Sequence, residues 1–258
     1  MVEGLQAVGL FGAILPPEYG GLGLPTTTYA KIVERVSEVW MSLSGIFNSH
    51  LIMSSAVIRH GTEDQKREWL PKFASGEIRG GLALTEPNCG TDLQAIRTTA
   101  KRDGDDYVIN GTKTWISNGI HGTVFALLVK TDPAAKPRHA GTSLFLAQKG
   151  PGFTVSRKLE KLGYKGIDSA ELVFEDFRIP ADRLIGGEDG FGLRHSLRGL
   201  DLGSIKVPAR GGGLASAALT DAVNYSHPRD TSGKPTTQHH TTQSKLVDHA
   251  TTIQSPRH

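Results

Sequence analysis

The sequence predicts a multidomain α+β fold with helices first, a middle antiparallel β-barrel or sandwich, and helices again at the end. Three observations predict it. Apolar residues recur with a helical period early in the chain, short β-rich runs separated by turn residues occupy the middle, and a long segment rich in Ala and Gly follows. No alternation of strands and helices occurs in the middle part, which argues against a Rossmann sheet.

Composition excludes several classes of protein. The 258 residues are 38% hydrophobic and 21% charged, unlike collagen, a coiled coil or a disordered chain. No apolar run approaches the roughly 18 residues of a membrane span, and no secretory leader is visible, so no membrane association is expected. The net charge of +3 is scattered, so no nucleic-acid partner is expected. A single cysteine excludes a disulfide framework and indicates a reducing compartment.

Two helices are predicted in the N-terminal region. A stripe of period 3.6 runs from Thr27 to Leu51. Its members are Ile32, Val33, Val36, Val39, Trp40, Leu43, Ile46 and Phe47. A second helix begins at Thr62, where the spacing to Gln65 is that of a capping box.

The middle region contains a hairpin signal. Two strand-like runs, 107–109 and 114–116, flank Asn110 and Gly111, a dipeptide that favours a tight β-turn. A longer loop that includes Thr112 and Lys113 is the alternative. After it come further short strands, and then a helix from Phe191 to Val223 that contains Pro208. A last helix is expected over residues 241–253 with little apolar face.

Residues 226–258 are poor in apolar side chains. Only four of these 33 residues are apolar: Leu246, Val247, Ala250 and Ile253. A segment of this composition cannot bury much surface by itself.

Two segments carry candidate chemistry. Residues 84–92 form a turn-rich loop whose hydroxyls at Thr85 and Thr91, with its backbone amides, can cradle a polar ring edge or a phosphate. An ordinary loop of Asx and Thr turns is the alternative. Trp115 stands near the end of a strand, where a core tryptophan is the alternative to a ligand contact.

Together these segments resemble the motifs of the acyl-CoA dehydrogenase family. Residues 84–92 resemble its Thr-Glu-Pro-x-x-Gly-Ser-Asp signature, and residues 110–119 are similar to its second flavin motif. Residues 161–180 resemble its third motif, and residues 16–23 its N-terminal Pro-Glu-Glu-Tyr-Gly-Gly element. The four motifs have the family's order and spacing, and the resemblance is strongest from Gly9 to Gly203.

The resemblance implies three domains and FAD as the cofactor. The domains are an N-terminal helical domain over 1–80 without its first helix, a β-barrel domain over 81–188, and a partial C-terminal helical bundle over 189–258. The residues implied to contact FAD are Leu82, Leu84, Thr85, Gly90, Thr91, Trp115, Ile116, Ser117, Arg229 and His240. Those implied to contact acyl-CoA are Thr91, Thr131, Asp201 and Ser204, although Asp201 also suits a solvated helix position.

The reaction implied is α,β-dehydrogenation of an acyl-CoA to the trans-2-enoyl-CoA. A glutamate removes the α proton, a hydride passes to FAD, and the electrons leave to an electron-transfer flavoprotein. The resemblance also implies a homodimer or homotetramer. Its location would be the cytoplasm of a bacterium, or the mitochondrial matrix with the transit peptide absent.

The sequence departs from this pattern at the catalytic base. Most members carry the glutamate late in the bundle, beyond His258, and a minority carry it in a Gly-Leu-Asp-Leu-Glu-Arg segment. Here Gly203 holds the glutamate position and Ser204 the arginine position. We therefore assign no catalytic residue. The alternative is a non-catalytic acyl-CoA- or flavin-binding relative, or an inactive fragment.

The late histidines predict no metal site. His239 and His240 are adjacent, so they face different directions on a helix. His240 and His249 are not at ligand spacing, and no carboxylate set completes a site.

Overall fold

The computed structural model describes residues 2–254. Its α-helices in that range are α1 (Val2–Ala7), α2 (Thr26–His60), α3 (Glu63–Ser75), α4 (Gly192–Ser226) and α5 (His240–Gln254). The first strands are β1 (Gly80–Ala83), β2 (Thr99–Asp103), β3 (Asp106–Ser117) and β4 (Val124–Lys130). The later strands are β5 (Thr142–Gln148), β6 (Phe153–Lys158), β7 (Ser169–Pro180), β8 (Asp230–Thr231) and β9 (Lys234–Pro235). The predicted order of helices, strands and helices is confirmed.

Contacts divide the described chain into two compact units. The first contains residues 2–26 and 45–203, and the second contains residues 27–44 and 204–254. The first therefore holds α1, α3 and the large sheet, together with the second part of α2 and the first part of α4. The domain boundaries at residues 80 and 188 stay a prediction.

The large sheet of the first unit has seven strands and mixed pairing. Its order is β1-β4-β2-β3-β7-β6, with β5 paired to β4. Four pairings are antiparallel, as the sequence predicts, whereas β4 runs parallel to both β1 and β2. The parallel pair β1–β4 is possible because β2 and β3 intervene in sequence and form the crossover connection that parallel strands need.

The predicted hairpin at Asn110 and Gly111 is wrong. Both residues lie inside the single strand β3, and the hairpin turn between β2 and β3 falls at Gly104 instead. Gly111 marks a register shift against β7, where its φ of 148° and the nearby Thr98 side chain leave no room for a Cβ. The dipeptide therefore forms a β-bulge and not a turn. Both structures need a backbone conformation that glycine adopts more easily than other residues.

The core of the sheet domain is aromatic and aliphatic. Phe153, Phe174 and Phe177 pack with ring centroids 4.7–5.7 Å apart. The same cluster includes Ile109, Ile116, Phe125, Leu127, Phe145 and Leu172, all essentially inaccessible to solvent. Because Ile109 and Ile116 of β3 are buried in this core, they fix which face of the strand points into it.

The two predicted N-terminal helices form with differences in extent. Thr62 and Gln65 make the predicted capping box at the start of α3. The first helix, α2, is interrupted at Trp40, whose φ of −160° is not helical. Trp40 and Val39, predicted on the apolar stripe, are 42% and 85% exposed. The helical period is interrupted at this break, and the predicted stripe resumes beyond it with Phe47 and Leu51, both completely buried.

α2 is a long and apolar helix. Among residues 2–254 it is the helix long and apolar enough to cross a membrane, but 72% of its most apolar window is buried inside the protein. A core helix meets the same criteria as a membrane span.

The C-terminal helices lie close to the predicted bounds. The described helix α4 continues through Pro208, and α5 has no buried residue, as expected from its weak apolar face. The last four residues of the apolar-poor segment, 255–258, lie outside the described range.

His50 gives this fold a defined pH dependence. It is completely buried on α2, donates from Nε2 to the Phe73 carbonyl at 3.0 Å, and packs edge-on against the Phe11 and Phe73 rings. Burial lowers the pKa of His50 from 6.5 to about 4, although the bond to Phe73 opposes the shift.

We predict that His50 destabilises the fold in acid. Because its folded pKa is the lower one, the unfolded chain binds the extra proton first as the pH falls. The contribution is complete above pH 6.5 and is lost between pH 6.5 and about 4, by up to about 3 kcal/mol. Urea unfolding from pH 7 to 4 should show a shallower pH slope for H50Q than for the exposed-site control H121Q. Equal slopes would contradict this.

Candidate functional site

A cavity of about 200 Å³ in the first unit collects most of the predicted cofactor residues. It lies where β1 and β3 end, against α2 and α4. Its lining residues are Ser49, Ile52, Leu82, Leu84, Thr85, Trp115, Ile116, Ser117 and Leu200. Six of these nine were predicted to contact FAD. The sequence segments 82–85 and 115–117, about 30 residues apart, thus form one wall.

Trp115 occupies a strained position at this cavity. Its φ of 59° is left-handed, and the register of β3 against β7 shifts between Lys113 and Ile116. A non-glycine residue in this conformation costs on the order of 1–3 kcal/mol, and such positions cluster at functional sites. The bulge leaves the indole 55% exposed, so the alternative of a core tryptophan is wrong.

A buried ion pair joins the two segments that form the wall. Lys113 Nζ lies 2.8 Å from Glu86 Oε1 and donates to the Leu84 carbonyl at 2.9 Å; the two side chains are 0% and 2% exposed. Glu86 also accepts from the backbone amides of Arg97 and Thr98, at 2.6 and 3.0 Å. The carboxylate therefore has three donors and the ammonium two acceptors.

The electrostatics of the pair follow from its burial. Burial lowers the pKa of Lys113 to about 8, while the Glu86 carboxylate pulls it upward. Burial also pushes the pKa of Glu86 upward, but the Lys113 ammonium and the hydrogen bonds to residues 97 and 98 outweigh it and hold that pKa below its usual value. Both groups are charged at neutral pH. A further bond, Thr114 N to Thr85 O at 2.9 Å, ties the same segments together.

We predict that breaking this pair unfolds the site. K113M leaves the Glu86 carboxylate buried without its cation, which should lower the free energy of unfolding by about 3–5 kcal/mol. Lys101 is exposed on β2, so K101M removes the same charge and should change stability by less than about 0.5 kcal/mol. Urea denaturation of the two variants measures the difference. A K113M effect no larger than that of K101M would contradict the prediction.

Two predicted cofactor residues of the same loop lie apart from the cavity lining. Gly90 and Thr91 are exposed and follow a tight turn closed by mutual backbone bonds between Glu86 and Cys89. Burial raises the pKa of the Cys89 thiol, in keeping with a structural side chain. The loop holds its shape through protein contacts, and the roles of Gly90 and Thr91 toward a ligand stay predictions.

Thr131, predicted to contact substrate, belongs to a hydrogen-bond chain. Its hydroxyl lies 2.7 Å from Ser143 Oγ, which donates to Asp189 Oδ1 at 2.8 Å. The other oxygen of Asp189 accepts from the Tyr107 hydroxyl at 2.8 Å. Ser143 Oγ also accepts from the Gly190 amide at 3.1 Å, so the chain fixes the start of α4 on the sheet.

A second cavity of the first unit has a volume of about 690 Å³ and lies beside the hydrogen bonds of Asp189. It combines two arginines, Arg194 and Arg198, with His139, Asp189 and the Phe191 ring among its lining residues. No sequence motif pointed to it, since these residues come from the β4–β5 connection, from the segment just before α4 and from α4 itself.

The remaining predicted residues lie toward the C-terminus. Asp201 and Ser204 are exposed on α4, where the described chain passes from the first unit to the second. Arg229 and His240 are exposed in the second unit, at the start of the small hairpin region and of α5. Their contacts with a cofactor or substrate stay predictions.

Several residues of the cavity were missed by the sequence reasoning. Ser49, Ile52 and Leu200 lie on helices whose periodicity marks them only as core candidates. Lys113 and Glu86 each stand inside a quoted motif, and a lysine within a strand otherwise built of β-formers was the available signal. Within residues 2–254, no three His, Cys, Asp or Glu side chains come together as metal ligands could.

Family comparisons agree with this geometry. The chain matches the acyl-CoA dehydrogenase N-terminal domain over residues 1–77 and the acyl-CoA dehydrogenase middle domain over residues 81–177. It is 36% identical over 258 residues to the human mitochondrial short-chain specific acyl-CoA dehydrogenase, covering 99% of this chain and 62% of that protein. An acyl-CoA dehydrogenase of Bacillus subtilis (strain 168) is 35% identical over 260 residues, which are 100% of this chain and 68% of that protein.

Solved structures share the fold at high similarity. Butyryl-CoA dehydrogenase from Megasphaera elsdenii matches with a TM-score of 0.93 and 32% identity over 98% of this chain and 67% of that one. A glutaryl-CoA dehydrogenase from Mycobacterium smegmatis in complex with FADH2 matches with a TM-score of 0.89 and 28% identity, over 98% and 64%. The chain belongs to the acyl-CoA dehydrogenase family of flavoprotein oxidoreductases. It spans about 60% of the length of several curated relatives it matches.

Proposed function

We propose that the 200 Å³ cavity holds the flavin ring of FAD in an acyl-CoA dehydrogenase-like protein. The observation that carries the proposal is the convergence of Leu82, Leu84, Thr85 and residues 115–117 on one cavity. The relative solved with FADH2 shares the fold. When bound, FAD supplies the hydride acceptor for the reaction.

The residues present fit a flavin chemically. Leu82, Leu84 and Ile116 give apolar surface for the ring system, and the hydroxyls of Thr85 and Ser117 can bond to its polar edge. Trp115 offers an aromatic face that is 55% exposed. Its left-handed backbone supports this assignment, because such positions cluster at functional sites.

The substrate we propose is an acyl-CoA thioester. Thr91, Thr131, Asp201 and Ser204 are the candidate contacts that the family resemblance gives. The larger cavity adds a second candidate region, since Arg194 and Arg198 suit the phosphates of CoA and the Phe191 ring suits its apolar parts. An electron-transfer flavoprotein as electron acceptor, a homo-oligomeric assembly and the cytoplasmic or mitochondrial location belong to the same proposal.

One observation favours a second function, that of a binding relative without turnover. Removing a proton α to a thioester needs an aligned, desolvated base. Gly203 is buried on α4 at one of the two family positions for that base, and glycine supplies none. Under this second proposal, flavin and thioester bind while position 203 supplies no base for proton removal.

We predict that Trp115 contributes to FAD affinity. Removing the indole in W115A deletes a ring contact worth about 0.5–1.5 kcal/mol and apolar burial of similar size, so the Kd for FAD should rise about tenfold or more. W40A, at another partly exposed tryptophan, is the control. FAD titration followed by flavin fluorescence reports both. An unchanged Kd in W115A would place the ring elsewhere, and no binding by the unaltered chain would remove the cofactor assignment.

We predict that a base at position 203 restores turnover. In G203E, reduction of bound FAD by an acyl-CoA panel should be about 10²–10⁴-fold faster than in the unaltered chain, the usual contribution of general-base catalysis. G203Q is the matched control, because it has the same size and helix effect without a carboxylate. Stopped-flow loss of flavin absorbance measures the rate. Rapid reduction in the unaltered chain would contradict the binding-only function.

A further inference from the structure

A third cavity of the first unit is lined by basic side chains. Its volume is about 440 Å³, and its cationic residues are Arg79, Lys158 and Lys165, with His121 beside them. It shares no lining residue with the flavin cavity or with the 690 Å³ cavity. Neither the proposed cofactor nor the proposed substrate accounts for it.

These cations have little compensation from the protein. In the part of the chain that the structure describes, the side chains of Arg79, His121, Lys158 and Lys165 take part in no hydrogen bond and no ion pair within 4.0 Å. Arg79 is half-buried and lies over the Phe11 ring at 5.6 Å. Burial lowers the pKa of the Arg79 guanidinium, against the pull of a nearby carboxylate.

The nearby carboxylate belongs to Asp168, the acidic side chain among the described residues that line this cavity. One of its oxygens accepts the Ile120 amide at 2.9 Å. Three permanent cations against this one carboxylate leave the cavity with two positive charges.

Two further lysines lie next to the cavity, and their ammonium groups have hydrogen-bond acceptors within the protein. Lys149 donates to the carbonyls of Gly119 and Ile120 at 2.9 and 2.8 Å, and Lys161 donates to the Ile167 carbonyl at 2.6 Å. In the described residues Arg79, Lys158 and Lys165 have no such acceptors: Arg79 is half-buried, and the two lysines stand exposed at the mouth of the cavity. Like charges gathered in a concave surface repel one another, and an anion removes that repulsion.

We propose that this cavity binds a phosphate monoester. A monoester carries a charge of about −1.5 to −2 at pH 7, which balances the two excess positive charges. The guanidinium of Arg79 can form paired bonds to phosphate oxygens, and ammonium groups act as point charges at its periphery. Ile46 and Ile167 add apolar surface, so the ester carries a small apolar group. The volume lies within the range of small-molecule sites.

The test uses phenyl phosphate as the probe, with isothermal titration calorimetry on the whole chain in the absence of FAD and again with FAD in excess. One site should bind, with affinity falling at higher salt. The K158Q/K165Q double variant should bind at least tenfold more weakly, while K101Q, which removes an exposed lysine on β2, should bind as the unaltered chain does. Succinate, a dianion without phosphate geometry, should bind at least tenfold more weakly than phenyl phosphate. Inorganic phosphate should bind more weakly than the ester, because it lacks the group that contacts the apolar side chains of Ile46 and Ile167.

Several results would overturn the proposal. They are the absence of binding, equal binding of succinate, or equal loss in K101Q and in the double variant. Displacement of phenyl phosphate by FAD would place the anion in the flavin cavity instead. Failure of FAD binding in the Trp115 experiment leaves this test unaffected, because the two cavities share no residue.

Discussion

The buried pair between Lys113 and Glu86 is the interaction on which the flavin cavity depends. It connects the loop after β1 to the middle of β3, two segments that the sheet order β1-β4-β2-β3 does not place side by side by strand pairing. Lys113 also binds the Leu84 carbonyl, so one ammonium sets the path of the backbone that carries Leu84 and Thr85. Desolvating two charges is costly, and the additional amide donors to Glu86 make the arrangement favourable.

The same pair explains how strain at Trp115 persists. Strand residues alternate between faces, but Lys113 and Thr114 are both buried, and the next residue, Trp115, is exposed before Ile116 returns to the core. This change of phase requires the bulge. Lys113 is held on one side of it by Glu86 and Ile116 on the other by the aromatic core, so the left-handed residue between them has no relaxed alternative. The indole thus stands exposed at the cavity, between two residues that are themselves buried.

Much of the fold followed from local patterns, because helix periodicity and the Thr62 capping box act over a few residues. The cavity residues followed from motif resemblance. The errors have physical causes. Asn110-Gly111 suits a bulge as well as a turn, and only the pairing of β3 with β7 decides between them. The break at Trp40 and the parallel β1–β4 pair depend on contacts distant in sequence, as does the Lys113–Glu86 pair, whose partners are separated by 27 positions. No local pattern contains that information.

The residues proposed to bind the flavin and the position proposed for the catalytic base lie on different elements of the structure. The wall proposed to face the flavin, residues 82–85 and 115–117, belongs to the first unit and is built by strand ends, a bulge and a buried ion pair. Gly203, the α4 position that the family resemblance gives for one placement of the base, lies about one helical turn after Leu200, which lines the same cavity. Position 203 lies on helix α4, whereas the wall of residues 82–85 and 115–117 is held by the pair between Lys113 and Glu86. The proposed flavin wall and position 203 therefore belong to different elements, and a substitution at 203 leaves the ion pair that holds the wall unchanged.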